Sequence, residues 1–232
     1  MDKKTIGILG GMGPRATCEL YSMIISNTKA SLDQEHIHVL IDSNCQIPDR
    51  TRAIISDGES PVEMLQASAK VLENAGADFL IIPCNTSHHF YDEIAKAVHI
   101  PILHMIKETV SEIRNEEKVI VLCTEGTRDS GVYGKVLQAN DIGCIYPDPI
   151  LQNEVNDIIY NAVKKGLGSY DASFFNQELA KLDHGHEIAA ILGCTEMSYA
   201  AQQYHLEGRF IDPMLILAKK AIRYAGYQCI DD

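Results

Sequence analysis

Two stretches of this chain repeat one design: an apolar run, a turn that carries a cysteine, and the start of a helix. The runs Asp78–Ile82 and Ile188–Leu192 read as buried strands, followed by Pro83-Cys84-Asn85-Thr86 and Gly193-Cys194-Thr195-Glu196. Cys84 and Cys194 stand 110 residues apart, and the strand-like openings Thr5–Leu9 and Lys118–Cys123 share about the same offset. A common offset of this length signals a duplicated unit. Strand and helix patterns alternate through both copies, which dictates an α/β fold with parallel sheets.

In the first copy, Gly10-Gly11-Met12-Gly13-Pro14 follows the opening strand and begins a helix that runs to about Lys29. Gly11, Gly13 and Ala16 nearly spell the glycine fingerprint of a dinucleotide fold. His38–Asp42 is the second strand, and it leads into the polar loop Ser43–Arg50. Val62, Leu65, Ala69 and Leu72 form a helical stripe that Gly76 ends, and Pro101–Leu103 reads as a short strand. In the second copy, Thr124-Glu125-Gly126-Thr127 replaces the glycine loop. Val155, Ile158, Ile159, Ala162 and Val163 give one apolar helix face, stopped by Gly166. Phe210–Ile211 and the helix Met214–Tyr224 are expected to pack back on the first half, because the second already has its strands.

With 232 residues, 46% of them hydrophobic, the chain can bury a proper core, and no segment is apolar enough for a signal peptide or membrane span. Seven cysteines fit no disulfide framework or Cys-x-x-Cys pair, so a reduced, cytoplasmic chain is expected. The net charge of −12 argues against nucleic acid or an anionic membrane as partner. It also means that a pocket for an anionic substrate needs its own buried cations.

A thiol at the end of a parallel strand sits where ligands of open sheets bind. The positive end of the following helix is expected to favour its thiolate. Two such thiols on one pocket can remove and return a proton on opposite faces of a carbon. Backbone N–H groups and hydroxyls then stabilise the developing charge, and Asn85, Thr86, Thr124, Thr127 and Thr195 are the candidates for contacts to an α-carboxylate and α-ammonium. Thr86 and Thr195 are also expected to cap their helices. Arg50, in a loop at a strand's carboxyl end, and Lys164, on a polar helix side, are candidates for a distal carboxylate. His88, one turn beyond Cys84, is placed to tune it. The other histidines, His184 and His186 among them, show no zinc-ligand spacing and read as surface or core residues.

Taken together, Gly10-Gly11-Met12-Gly13-Pro14 with Ala16-Thr17, Gln46-Ile47-Pro48-Asp49-Arg50-Thr51, the two cysteine motifs, Ser130-Gly131-Val132-Tyr133 and Ile211-Asp212-Pro213-Met214 resemble the aspartate/glutamate racemase superfamily, in its cofactor-independent aspartate racemase branch. The resemblance spans nearly the whole chain. It implies two similar α/β domains, residues 1–103 with 208–232 and residues 104–207, with the active site in the cleft between them. It implies no pyridoxal phosphate, no metal, an amino-acid substrate and a homodimer. By the same resemblance Cys194 acts on the L-enantiomer and Cys84 on the D-enantiomer. Gln46, Arg50 and Lys164 then lie near the substrate carboxylates, Met12 and Glu196 beside the pocket. Ser87 stands where the family usually has alanine, a departure expected to affect helix capping and little else.

Other reactions of the superfamily, namely broad-specificity amino-acid racemisation, hydantoin racemisation and maleate isomerisation, keep the cysteine pair and remain open at this point. A nicotinamide-dependent oxidoreductase would use the glycine loop. Its ribose-binding acid is matched only by Asp42, somewhat far along the chain. A non-catalytic amino-acid-binding protein on the same scaffold is the third alternative.

Overall fold

The computed structural model describes residues 3–114, 118–182 and 188–232; His184 and His186 lie outside the described residues. Among the described residues, seven strands form two parallel sheets. The first has the order β2-β1-β3, from β1 (Ile6–Gly10), β2 (Val39–Ser43) and β3 (Phe79–Ile81). The second has the order β5-β4-β6-β7, from β4 (Lys118–Val121), β5 (Gly143–Ile145), β6 (Ala189–Ile191) and β7 (Arg209–Ile211).

Helices follow the strands. The first half contains α1 (Pro14–Asn27), α2 (Arg50–Ile55), α3 (Val62–Asn74), a 3₁₀ turn (Thr86–Phe90) and α4 (Tyr91–Ala95). The join and second half contain α5 (Met105–Ser111), α6 (Glu125–Asp129), α7 (Val132–Gln138) and α8 (Pro149–Asn156). They continue with a π-helical segment (Asp157–Val163), α9 (Ser173–Leu182), α10 (Thr195–Gln203) and the final α11 (Pro213–Tyr224). Among the described residues, no helix is long and apolar enough to cross a membrane, and all seven cysteines are free.

The inner strands β1, β3, β4 and β6 are almost wholly apolar because both their faces are covered, whereas the edge strands β2, β5 and β7 stay partly exposed. In β1, Ile6 and Ile8 face a core with α1 and α11, whereas Leu9 faces α3 and α4. In β4 and the residue that follows it, Ile120 and Leu122 face α8, α10 and the π-helical segment, while Val119 and Val121 face α5 and α7. The period-two alternation thus sorts one strand into two cores.

The duplication is visible in the strand order. The first strand of each half is central, with the second on one side and the third on the other. Pro101–Leu103 is no strand of its own but a single parallel bridge, Leu80 to Ile102. It stands where β7 stands in the other sheet. The order reverses beside β1 and β4, and a ligand crevice is expected outside the carboxyl ends at such points.

One expectation needs correction. The segment 208–232 does not return to the first half as a piece. β7 hydrogen-bonds to β6 and completes the second sheet. α11 and the residues after it cross back: Met214, Leu217, Ala218, Ala221 and Ile222 pack on Ile6, Leu20 and Phe79, and the amides of Lys29 and Ile230 donate to the carbonyls of Gln228 and Asn27. The physical reason is the open edge of β6, whose backbone groups need a partner before the chain leaves.

Candidate active site

Both cysteines follow the third strand of their sheet, and both line one cavity between the halves. Cys84 is 6% exposed and belongs to the first half's core; Cys194 is 9% exposed and belongs to the second's. Met12 reaches the cavity from the loop after β1, Asp49, Arg50 and Thr51 from the start of α2, and Thr124 from the N-cap of α6. Asn85, Thr86, Thr195 and Glu196 line it beside their cysteines, and Tyr160 and Lys164 close it. Its volume is about 30 Å³.

The two thiols differ in their surroundings. Cys194 is the N-cap of the nine-residue α10, as the expected helix start requires. Its thiol nevertheless donates to Glu196 Oε2 at 2.9 Å. Burial, then the adjacent carboxylate, hold its pKa well above the ordinary range, against the opposing pull of Lys164. The expected thiolate at this cysteine is therefore corrected to a thiol. A helix end contributes roughly 0.3–1 kcal/mol, whereas full burial displaces a pKa by up to about 3–5 units, so desolvation wins. Cys84 is followed by the short 3₁₀ turn, with Asn85 between them.

Asn85 is oriented by the second half. Its Oδ1 accepts from the hydroxyl of the fully buried Tyr133 at 2.6 Å, while its Nδ2 is buried with no hydrogen-bond partner among the described residues. Arg50 shows the same pattern. Its Nη1 donates to the carbonyls of Ile47 (3.1 Å) and Pro48 (2.9 Å), its Nη2 to that of Met12 (3.4 Å), and its Nε is buried and unpartnered. Buried donors left without acceptors are costly. Donors held beside one cavity suit an anionic ligand, and these two supply part of the local positive character that an acidic chain requires.

The threonines divide their roles. Thr124 caps α6 by accepting from the Thr127 amide, but neither Thr86 nor Thr195 caps a helix, contrary to expectation. Thr86 Oγ1 lies 2.7 Å from Thr127 Oγ1 across the two halves, and Thr195 Oγ1 donates to Glu196 Oε2 at 3.2 Å. Thr127 thus stands behind the cavity rather than lining it.

Gln46 is not brought to the cavity. Ile47 is buried in the first core and anchors the loop, which leaves Gln46 exposed. Asp49, the N-cap of α2, and Thr51 stand there instead. Ser87 does more than the expected capping change: its buried hydroxyl donates to Met12 Sδ at 3.2 Å and holds that side chain at the cavity. His88 does not meet the Cys84 thiol. Its Nδ1 lies 2.9 Å from the Cys84 carbonyl oxygen, and its Nε2 accepts the Met105 amide at 3.1 Å. Burial depresses its pKa to about 3, so it is a neutral tie between the Cys84 turn and α5. Gly11, at φ +90°, lets its loop press on the Asn44 backbone, which a Cβ would meet at 2.3 Å. The space its missing side chain leaves is filled by protein, not by a phosphate.

Tyr160, Asp49, Thr51 and Tyr133 were not singled out for the site from sequence. Tyr160 precedes Lys164 by four residues, and the Lys164 ammonium lies 4.6 Å from its ring centre. That spacing is the signal that could have found it. The π-helical turn, common at functional sites, presents both to the cavity. Burial raises the Tyr160 pKa to about 12, so its hydroxyl stays protonated. Replacing Tyr133 by phenylalanine should release Asn85. We expect a loss of about 1–2 kcal/mol and a Tm lower by about 3–6 °C, read by calorimetry.

Two equivalent α/β lobes each bring a thiol to one crevice between them. A profile of the Asp/Glu/hydantoin racemase family matches residues 9–221, and the chain belongs to that family. It is 34% identical over 229 residues to the broad-specificity amino-acid racemase RacX of Bacillus subtilis (strain 168), covering 96% of this chain and 99% of that protein. The fold matches Picrophilus torridus aspartate racemase with a TM-score of 0.81 at 32% identity, over 97% of this chain and 96% of that one. It matches an aspartate racemase homologue from Pyrococcus horikoshii OT3 with a TM-score of 0.76 at 27% identity, over 96% and 99% of the chains. The expected two-sheet α/β architecture and amino-acid racemase class stand.

Proposed function

We propose that this protein racemises an amino acid, aspartate first among the candidates, by proton transfer between Cys84 and Cys194. The observation that carries the reading is the meeting of both thiols, from matched positions of the two lobes, on one small cavity. One sulfur, as thiolate, takes the Cα proton; the other, as thiol, returns a proton to the opposite face. Asn85 Nδ2 and Arg50 Nε, unpartnered among the described residues, are the donors for carboxylate oxygens, and Lys164 stands at the rim for a distal one. Glu196 accepts the Cys194 proton and so releases the thiolate for the L-enantiomer.

The aspartate racemase of Picrophilus torridus favours an acidic substrate, and RacX a broader set. No cofactor is required in this reading. The test is incubation of L-aspartate in D₂O without additions: deuterium at Cα and formation of D-aspartate are the expected results. Inversion without solvent deuterium, or none at all, would overturn the reading.

A further inference from the structure

Each thiol is followed, four residues on, by a buried polar side chain whose bonds reach the start of another helix. These residues are His88 and Ser198, and they share the 110-residue offset of the cysteines. In the first half, Nδ1 of His88 donates to the Cys84 carbonyl at 2.9 Å, because Nε2 is already the acceptor of an amide and the ring is neutral. A regular α-helix would give that carbonyl to the His88 amide. Here the amide goes to the Asn85 carbonyl at 3.1 Å, and the imidazole holds the Cys84 backbone in its place. The amide on Nε2 is that of Met105, the first residue of α5, one of the donors that a helix start leaves over.

The second half makes the same tie with different atoms. Ser198 Oγ, in the first turns of α10, donates to Asp212 Oδ1 at 2.7 Å. The same oxygen accepts the amides of Met214 (2.9 Å) and Leu215 (3.4 Å) at the start of α11. α5 and α11 stand at equivalent places, one after the Leu80–Ile102 bridge and the other after β7. Both pass from one lobe to the other. Met105 packs in the first lobe's core, while Ile106 and Val110 pack with Val119 and Tyr133 of the second; α11 returns to Ile6 and Phe79. The two sulfurs belong to different lobes, so their separation is only as fixed as these joints.

We infer that His88 and the Ser198–Asp212 pair are positioning residues, matched across the duplication, which set each thiol against the helix that joins its lobe to the other. This rests on the two-thiol racemase reading and deepens it. Neither tie touches the reacting carbon. Each serves its own half of the proton transfer, His88 that of Cys84 and Ser198 that of Cys194, and a displaced thiol of one lobe leaves the other in place.

The experiment follows loss of the Cα proton from L-aspartate and D-aspartate separately in D₂O, with the whole chain and three variants. His88→Gln keeps an acceptor within reach of the Met105 amide but loses the donor to Cys84. His88→Asn keeps a donor at the place of Nδ1, and Ser198→Ala removes only the hydroxyl. His88→Gln is expected to lower kcat by about 10²-fold for the enantiomer that Cys84→Ala fails to exchange, with KM and the other enantiomer within about threefold of wild type. His88→Asn should recover to within about tenfold of wild type, and Ser198→Ala should lose about tenfold or more on the opposite enantiomer. Rates are read below each variant's melting temperature, and Ser198→Ala carries the test if His88→Gln does not fold. Equal losses on both enantiomers, no loss in any variant, or His88→Asn as slow as His88→Gln would overturn the inference. A wild type that exchanges neither enantiomer takes down the racemase reading itself, and this one with it.

Discussion

Cys194→Ala is expected to lose racemisation by about 10³-fold or more, the scale of a removed general acid or base, yet to keep exchanging the Cα proton of one enantiomer. The remaining thiol can still take a proton and return a solvent deuteron to the same face. Cys84→Ala should show the mirror result. If Cys194 serves the L-enantiomer, Cys194→Ala exchanges D-aspartate only and Cys84→Ala exchanges L-aspartate only. NMR of Cα–H loss from each pure enantiomer, with chiral analysis of the product, reads this directly. Both sites are buried but small, so circular dichroism melts should show folded proteins. A variant that racemises at the wild-type rate would exclude the two-thiol mechanism.

Glu196→Gln carries the second largest effect, and its sign is informative. The carboxylate does two opposing things in this structure: its charge raises the Cys194 pKa, and its oxygen is the acceptor placed 2.9 Å from the thiol. Glutamine keeps the shape and removes the charge. The pH profile of iodoacetamide alkylation at Cys194 should therefore move to lower pH, because a neutral neighbour no longer opposes the thiolate. Turnover should nevertheless fall by about 10²–10⁴-fold, because the proton acceptor is gone. A variant as fast as wild type would mean that Glu196 only suppresses the thiolate. Peptide mapping of the alkylated cysteine separates Cys194 from the exposed Cys18 and Cys45.

Much of this was legible in the chain itself. The offset between Cys84 and Cys194 located the duplication, and apolar runs located β1, β3, β4 and β6 without help from tertiary contacts. Arg50 stands out through the family motif and its place near a strand's carboxyl end rather than by charge alone, since most arginines are merely solvated, and the structure puts it on the cavity. Gln46 was misplaced for the opposite reason: which side of a loop faces the crevice depends on which residue anchors it. Here the anchor is Ile47. Tyr160 carries only a weak local signal, its spacing of four residues from Lys164, and the cavity it lines is formed by tertiary contacts. β7 was assigned to the wrong half because local pattern marks a strand but not the sheet whose open edge it joins.

The division follows from the range of the forces involved. Periodicity, turn residues and the repeated cysteine context are local, and they determined an α/β chain of two matched halves with a thiol at the same point in each. The protonation of Cys194, the unpartnered donors of Arg50 and Asn85, and the meeting of both thiols on one cavity were decided only by tertiary structure. Desolvation and charge act through space, between groups as distant in sequence as Asn85 and Tyr133.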